Sequence, residues 1–200
     1  MTKSEIKKIK SLTEKKYRTE LGLFTVEGEK SVLELIDSDF VAEKLFCTKT
    51  FVEKNSDCLK KISFEIIEKE ELEKISNFES NDSALALVKQ KDNVKLSDNK
   101  KTLVLDDIRD PGNLGTIIRI CDWYGIKNIV ASETTVDFYN PKVISASMGS
   151  FTRINIFYTD LRKFLAEEKR PIFGAFLDGS DIHKTKIPEE AILVMGSESN

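Results

Sequence analysis

With 200 residues, 31 basic and 34 acidic side chains and a net charge of −3, the chain suits one large domain or two small ones, with a core burying roughly 70% of its unfolded surface. A hydrophobic fraction of 40% beside 32% charged residues excludes a disordered chain, and no apolar run approaches the ~20 residues of a membrane span. Cys47, Cys58 and Cys121 have no metal-ligand spacing, and no signal-peptide core opens the chain, so reduced thiols in a cytoplasmic protein are expected, with no metal.

The first eighteen residues are locally basic. Lys3, Lys7, Lys8, Lys10, Lys15, Lys16 and Arg18 face only Glu5 and Glu14, and an acidic run follows at Glu65, Glu68, Glu70, Glu71 and Glu73. A basic arm can touch phosphates, although a solvated helix face gives the same pattern. Beyond it, strands are expected at Leu23–Val26, Lys44–Thr48, Ser63–Ile67 and Ala84–Lys89, and helices at Glu29–Ile36, Phe51–Leu59 and Glu70–Ile75. The polar stretch Asp92–Lys101 reads as a linker between two domains, 1–95 and 101–200.

A second alternation follows the linker. Strands are expected at Thr102–Asp107, Lys127–Ser132, Arg153–Tyr158, Ile172–Leu177 and Ala191–Gly196, and helices at Leu114–Tyr124, Pro141–Ser147 and Leu161–Lys169. Strands alternating with helices argue for α/β domains with parallel sheets.

The stretch Leu103–Tyr124, LVLDDIRDPGNLGTIIRICDWY, carries the most information. A strand ends in Asp-Asp, a Pro-Gly turn follows, and Asn113 stands where a helix N-cap is expected. The helix is expected to bury Ile117, Ile120, Cys121 and Tyr124 and to stop at Gly125. Arg119 then lies about 200° around from Ile117 and leans back over Gly115. That places a guanidinium at the carboxyl end of a strand, where open α/β sheets bind ligands. An ordinary strand–helix turn with a surface arginine has the same local signature. The glycine spacing matches neither the dinucleotide fingerprint nor a P-loop.

Asn113–Arg119, NLGTIIR, resembles motif 1 of the SpoU (TrmH-type) RNA 2′-O-ribose methyltransferases of the SPOUT superfamily. Val136–Lys142 and Ser145–Ser150 resemble the next block, and Leu193–Glu198 resembles the opening of motif 2. Lys15–Lys30, KKYRTELGLFTVEGEK, is similar to the family's RNA-binding domain, and a Thr-Pro-Gln-Gly usual there is replaced by residues 79–83.

The resemblance implies an α/β fold: an N-terminal ribosomal-protein-like α/β/α RNA-binding domain and a C-terminal parallel-sheet methyltransferase domain. It implies S-adenosylmethionine as cofactor, a ribose 2′-OH of RNA as acceptor, ribosomal before transfer RNA, and a homodimer with a deep trefoil knot. Arg119, Asn113 and Glu198 are the implied catalytic residues. Phe176, Leu177 and Gly196 would border the cofactor, and Lys15, Lys16, Arg18 and Lys30 would contact RNA. The family continues past motif 2 to a Ser-Leu-Asn motif 3, whereas this chain stops at Asn200. The knot is therefore expected to be incomplete and the 200-residue chain inactive alone. The alternative is a non-catalytic RNA-binding, ribosome-associated module. His183 is expected in a solvated loop, Trp123 in a core or dimer face, and Ser147 and Ser150 either near the site or at a helix end.

Overall fold

The computed structural model describes residues 1–60, 62–95, 101–176 and 178–196. Its chain packs as two units. One takes in Met1–Lys91 and Asp137–Thr152, the other Asp92–Val136 and the residues from Arg153 onward. No helix among the described residues is long and apolar enough to cross a membrane.

The first unit opens with α1 (Lys3–Ser11) and α2 (Lys15–Leu21), so the expected basic arm is two helices folded into the unit. A capping box starts α1: Glu5 N donates to the Thr2 hydroxyl, and Thr2 N donates to the Glu5 carboxylate. Then come β1 (Leu23–Glu27), α3 (Glu29–Ile36), β2 (Ala42–Cys47), α4 (Lys49–Lys54), α5 (Ser56–Leu59), β3 (Glu65–Ile66), α6 (Lys69–Ile75) and β4 (Ala84–Lys89). The single helix expected over Phe51–Leu59 breaks at Asn55, whose side-chain amide donates back to Phe51 O at 3.0 Å.

The strand order is β1-β4-β2-β3, with β4 antiparallel to both neighbours and only β2–β3 parallel. The expected parallel sheet is thus a mixed one. Alternation of helices and strands orders the elements but does not set strand direction. The connection over 76–83 brings the chain back to the carboxyl end of β2, where Thr48 N donates to Ser83 O at 2.9 Å. One face of this sheet is covered by a cluster including Ile9 and Leu12 of the N-terminal helices and Leu72 and Ile75 of α6. Phe24 and Val26 point to the other face and are fully buried too.

The second unit is built on β5 (Thr102–Leu105), α7 (Pro111–Trp123) and β6 (Asn128–Ser132). After α8 (Pro141–Ala146), which belongs to the first unit, it continues with β7 (Asn155–Thr159), α9 (Leu161–Glu167), β8 (Ile172–Gly174) and β9 (Ile192–Met195). The order is β7-β6-β5-β9-β8, and every pairing is parallel. Val104, Val130 and Ile192 form one side of the core with Leu161, Phe164 and Leu165 of α9. The residues of opposite parity, Leu103, Leu105, Ile129 and Ala131, are also buried, so this sheet is covered on both faces. From the expected linker, Asn93 joins this unit: its side chain accepts from Tyr158 N (2.8 Å) and donates to Tyr158 O (2.9 Å), satisfying part of the edge strand β7.

Residues 137–152 lie beyond the linker in sequence yet pack in the first unit. The reason is aromatic. Phe24 of β1 meets Tyr139 with ring centroids 4.6 Å apart and Phe151 at 6.1 Å, and Phe138, Val143, Ile144 and Phe151 are buried. Such ring pairs contribute about 0.5–1.5 kcal/mol beyond their area. Close approach at Gly149 also demands glycine, since φ is +93° and a Cβ would lie 2.6 Å from Glu34 Cγ.

Arg18 is consumed by this packing and is 1% exposed. Its Nε and Nη2 donate to Asp137 Oδ2 at 2.9 and 2.6 Å, and Nη1 donates to the carbonyls of Leu12 and Thr13, both at 2.8 Å. The expected phosphate contact at Arg18 is therefore corrected: the guanidinium is buried, and four of its five N–H donors are used inside the protein.

Candidate active site

The sequence runs from β5 outward to β6 and β7 on one side of the sheet, while β9 pairs with β5 on the other. The strand order therefore reverses between β5 and β9. In open parallel sheets the crevice outside the carboxyl ends at such a reversal is the natural ligand site. Here those ends are Asp106 and Asp107 after β5, and Met195 at the end of β9 with Gly196 after it, tied together where Asp106 N donates to Met195 O at 2.9 Å.

From this edge α7 departs, but not as the sequence suggested. Its N-cap is Asp110, whose Oδ1 accepts from Asn113 N at 2.7 Å, with Pro111 in the first turn. Asn113 is instead an exposed residue of the first turn. The buried stripe is Leu114, Gly115, Ile118 and Cys121, whereas Ile120 is 50% and Tyr124 75% exposed. The expected stripe of Ile117, Ile120, Cys121 and Tyr124 is thus rotated around the helix. With apolar residues at 114, 117, 118, 120 and 121, two overlapping stripes exist, and only the covering layer selects one. The expected stop holds: Gly125 has φ +70°, with Gly125 N donating to Asp122 O and Ile126 N to Cys121 O, the Schellman pattern.

Arg119 is exposed and lies about 40° around from buried Gly115, at the edge of the solvent face. It makes no hydrogen bond or ion pair with another residue among the described residues. On the same solvent face Trp123 is 85% exposed, so the expectation of a core position for it fails.

The loop from β5 to α7 is held by residues that the sequence reading passed over. Asp107 sits at φ +56°. Its backbone N–H donates to Ser132 Oγ at 2.9 Å, and that of Ile108 to Thr135 Oγ1 at 3.3 Å. Arg109 Nε donates to the Asp107 carboxylate at 2.9 Å; this bond first, then one from Thr134, holds the carboxyl below its usual range, while Asp107 raises Arg109 in turn. The serine and threonine cluster at 132–135 was the available signal, since short hydroxyl side chains after a strand commonly bond loop backbone.

Of the expected cofactor residues, Gly196 follows β9, and a Cβ there would meet nothing within 4 Å among the described residues. Phe176 follows β8 and is 78% exposed, with its ring against the space a side chain at Gly174 would take. Leu177 and Glu198 lie outside the described residues. Lys15, Lys16 and Lys30 are exposed in the first unit. His183 is exposed in a short 3-10 turn. Ser147 takes the helix-end role: it is the C-cap of α8, buried, and donates to Ile144 O at 2.7 Å. Burial pushes the Cys121 thiol up to about 11 and Cys47 up to about 12, so neither is a nucleophile.

Residues 100–200 match the SpoU rRNA Methylase family and residues 3–86 the MRM3-like substrate binding domain. The 23S rRNA (guanosine(2553)-2′-O)-methyltransferase RlmP of Bacillus subtilis is 28% identical over 198 residues, covering 97% of this chain and 79% of the relative. Mitochondrial rRNA methyltransferase 3 of Xenopus laevis is 31% identical over 152 residues, or 71% of this chain and 36% of the relative. Among solved structures, a TrmH-family protein from Porphyromonas gingivalis matches with a TM-score of 0.86 at 30% identity, over 98% of this chain and 81% of that one. An AdoMet-bound rRNA methyltransferase from Sinorhizobium meliloti matches in fold with a TM-score of 0.82 at 24% identity, over 100% and 80%. A parallel methylase sheet with its motif 1 helix, preceded by a mixed-sheet substrate-binding unit, makes this chain a member of the SpoU rRNA methylase family.

Proposed function

We propose that the protein transfers a methyl group from S-adenosylmethionine to a ribose 2′-OH of ribosomal RNA. The observation that carries this reading is Arg119: an exposed guanidinium with no partner among the described residues, on the helix that leaves the strand-order reversal.

A guanidinium does not readily give up its proton, so Arg119 is a poor general base and a good electrostatic partner for the 2′-oxygen as negative charge develops on it. Asn113, exposed in the first turn of α7, offers an amide that can donate and accept beside the same loop. Glu198 would complete this set by supporting the loop.

The residues at the carboxyl edge fit the cofactor. Among the described residues nothing crowds Gly196, so its backbone groups are approachable, and exposed Met195 and Phe176 offer apolar surface to a thioether and an adenine. When bound, S-adenosylmethionine supplies the electrophilic methyl group. Gly196 and Phe176, with Leu177, are the residues that would hold it. Lys15, Lys16 and Lys30 supply phosphate contacts from the substrate-binding unit, where compact ammonium groups on flexible stems act as point charges. The exposed apolar face of Ile120, Trp123 and Tyr124 is the surface through which two copies would pair. The free cysteines suit a reducing cytoplasm.

Mapping 2′-O-methylation across ribosomal and transfer RNA, from cells with and without the gene, tests the reading. Loss of methyl at a ribosomal RNA ribose is expected. Loss confined to transfer RNA would overturn the acceptor, and no change in any RNA would overturn the activity.

A further inference from the structure

We infer that Ser132 and Thr135 are positioning residues for this reaction: their paired hydroxyls lock the loop from which α7, and with it Arg119, is launched. The inference deepens the methyltransferase reading and rests on it.

Asp107 is a non-glycine residue at φ +56°, a left-handed conformation that persists only where the surroundings over-determine it, and that gathers at functional sites. Here the surroundings are two side chains, one at the end of β6 and one in the loop just after it. Asp107 N donates to Ser132 Oγ at 2.9 Å and Ile108 N to Thr135 Oγ1 at 3.3 Å, while the two hydroxyl oxygens lie 3.0 Å apart. Each hydroxyl has one proton. The set is satisfied when Thr135 donates to Leu105 O at 3.3 Å, Ser132 donates to Thr135, and both amides fill remaining acceptor positions.

Val136 N closes the clasp by donating to Ile108 O at 2.9 Å. Thr135 is 2% and Ser132 8% exposed, so water does not stand ready to replace these bonds. Their burial also keeps both hydroxyls from touching substrate. They act through the loop. Two residues after the clasp, Asp110 caps α7, so the clasp sets where the helix begins and where Asn113 and Arg119 point. A catalytic group held loosely loses much of its effect, because preorganised geometry is what an electrostatic stabiliser contributes.

Thr135→Val keeps the branched shape and removes the hydroxyl, stranding Ile108 N–H; Thr135→Ser returns it. The full-length enzyme would be measured in two ways. Amide exchange by NMR follows Asp107 and Ile108. Single-turnover transfer from tritiated S-adenosylmethionine uses ribosomal RNA from cells lacking the gene, with RNA and cofactor affinities measured separately. Thr135→Val is expected to lose protection at both amides by about tenfold or more, and to slow transfer by about tenfold with both affinities within about threefold of wild type. Thr135→Ser should restore protection and rate together. Lost protection with a wild-type rate would overturn the positioning role, and unchanged protection would overturn the clasp. If wild-type protein transfers no methyl to RNA, the methyltransferase reading and the positioning role fall together, while amide exchange still decides the clasp. Should Thr135→Val fail to fold, Ser132→Ala carries the same two readouts at Asp107.

Discussion

Arg18 of α2 and Arg119 of α7 are the same residue type on two helices, each inside the stretch that carries the family resemblance of its half of the chain. Their surroundings give them opposite work. The guanidinium of Arg18 is buried, with four hydrogen bonds to a carboxylate and two carbonyls. That of Arg119 stands in solvent without a partner among the described residues. A charge already neutralised and bonded inside a fold has nothing left for a phosphate or an alkoxide. A charge held at the surface by a rigid helix has its full capacity available. Arg170 falls between them: it grips Glu168 through Nε (3.0 Å) and Nη2 (2.7 Å), at 16% side-chain exposure.

The contrast predicts a split between stability and turnover. Arg18→Ala empties a buried site and leaves the partly buried Asp137 carboxylate without its ion-pair partner, a change that typically costs about 3–5 kcal/mol. For a chain of this size the melting temperature should fall by roughly 10 °C in calorimetry. A melt unchanged by the substitution would break the comparison at its first term.

Arg119→Ala should do the reverse. Transfer is expected to fall about 10²–10³-fold, or roughly 2.7–4 kcal/mol of transition-state stabilisation. The melting temperature should stay within about 1–2 °C, as for other exposed sites. A variant keeping more than about a tenth of wild-type turnover would show that another group stabilises the developing charge.

The intermediate case is read by pH. Arg170, and the backbone amides it and Lys169 supply, hold the Glu168 carboxyl down at about 2, below its ordinary 4.5. A depressed carboxylate contributes stability that is fully present above the unfolded value and is lost as pH falls through the folded one. Melting temperature should therefore decline between about pH 4.5 and pH 2, and Glu168→Gln should flatten that part of the profile. An identical profile in the variant would mean that the pair is spectator to folding.

The smallest effect concerns the exposed lysines beside Arg18. Lys15→Ala and Lys16→Ala should each reduce the slope of log affinity against log salt by roughly 0.7–0.9 if each touches one phosphate. Filter binding across a salt series measures it. Melts should not move, in contrast to their buried neighbour, and an unchanged slope would assign both lysines to ordinary solvation.

Much of the secondary structure was legible because it rests on neighbours in sequence. The expected limits of α3 (Glu29–Ile36) and β4 (Ala84–Lys89) are those observed, and Gly125 ends α7 as anticipated. Motif spacing likewise placed Asn113 and Arg119 on one helix at the carboxyl edge of a sheet. The cap of that helix was misread because Asp110 and Asn113 are both good caps, and Pro111, which favours a first-turn position, decides between them only once the loop is folded.

Local chemistry therefore determined the order of elements, the helix stops and the placement of motif 1, since propensity, capping and spacing act within a few residues. Tertiary structure decided which stripe of α7 faces inward, that β4 runs antiparallel, that residues 137–152 join the first unit, and that Arg18 is spent on Asp137. Each of these depends on partners far apart in the chain, 119 positions for Arg18 and Asp137. Burial is a property of what covers a side chain, so the same arginine can be an internal cross-link or an open charge. The difference is made by residues that no local window contains.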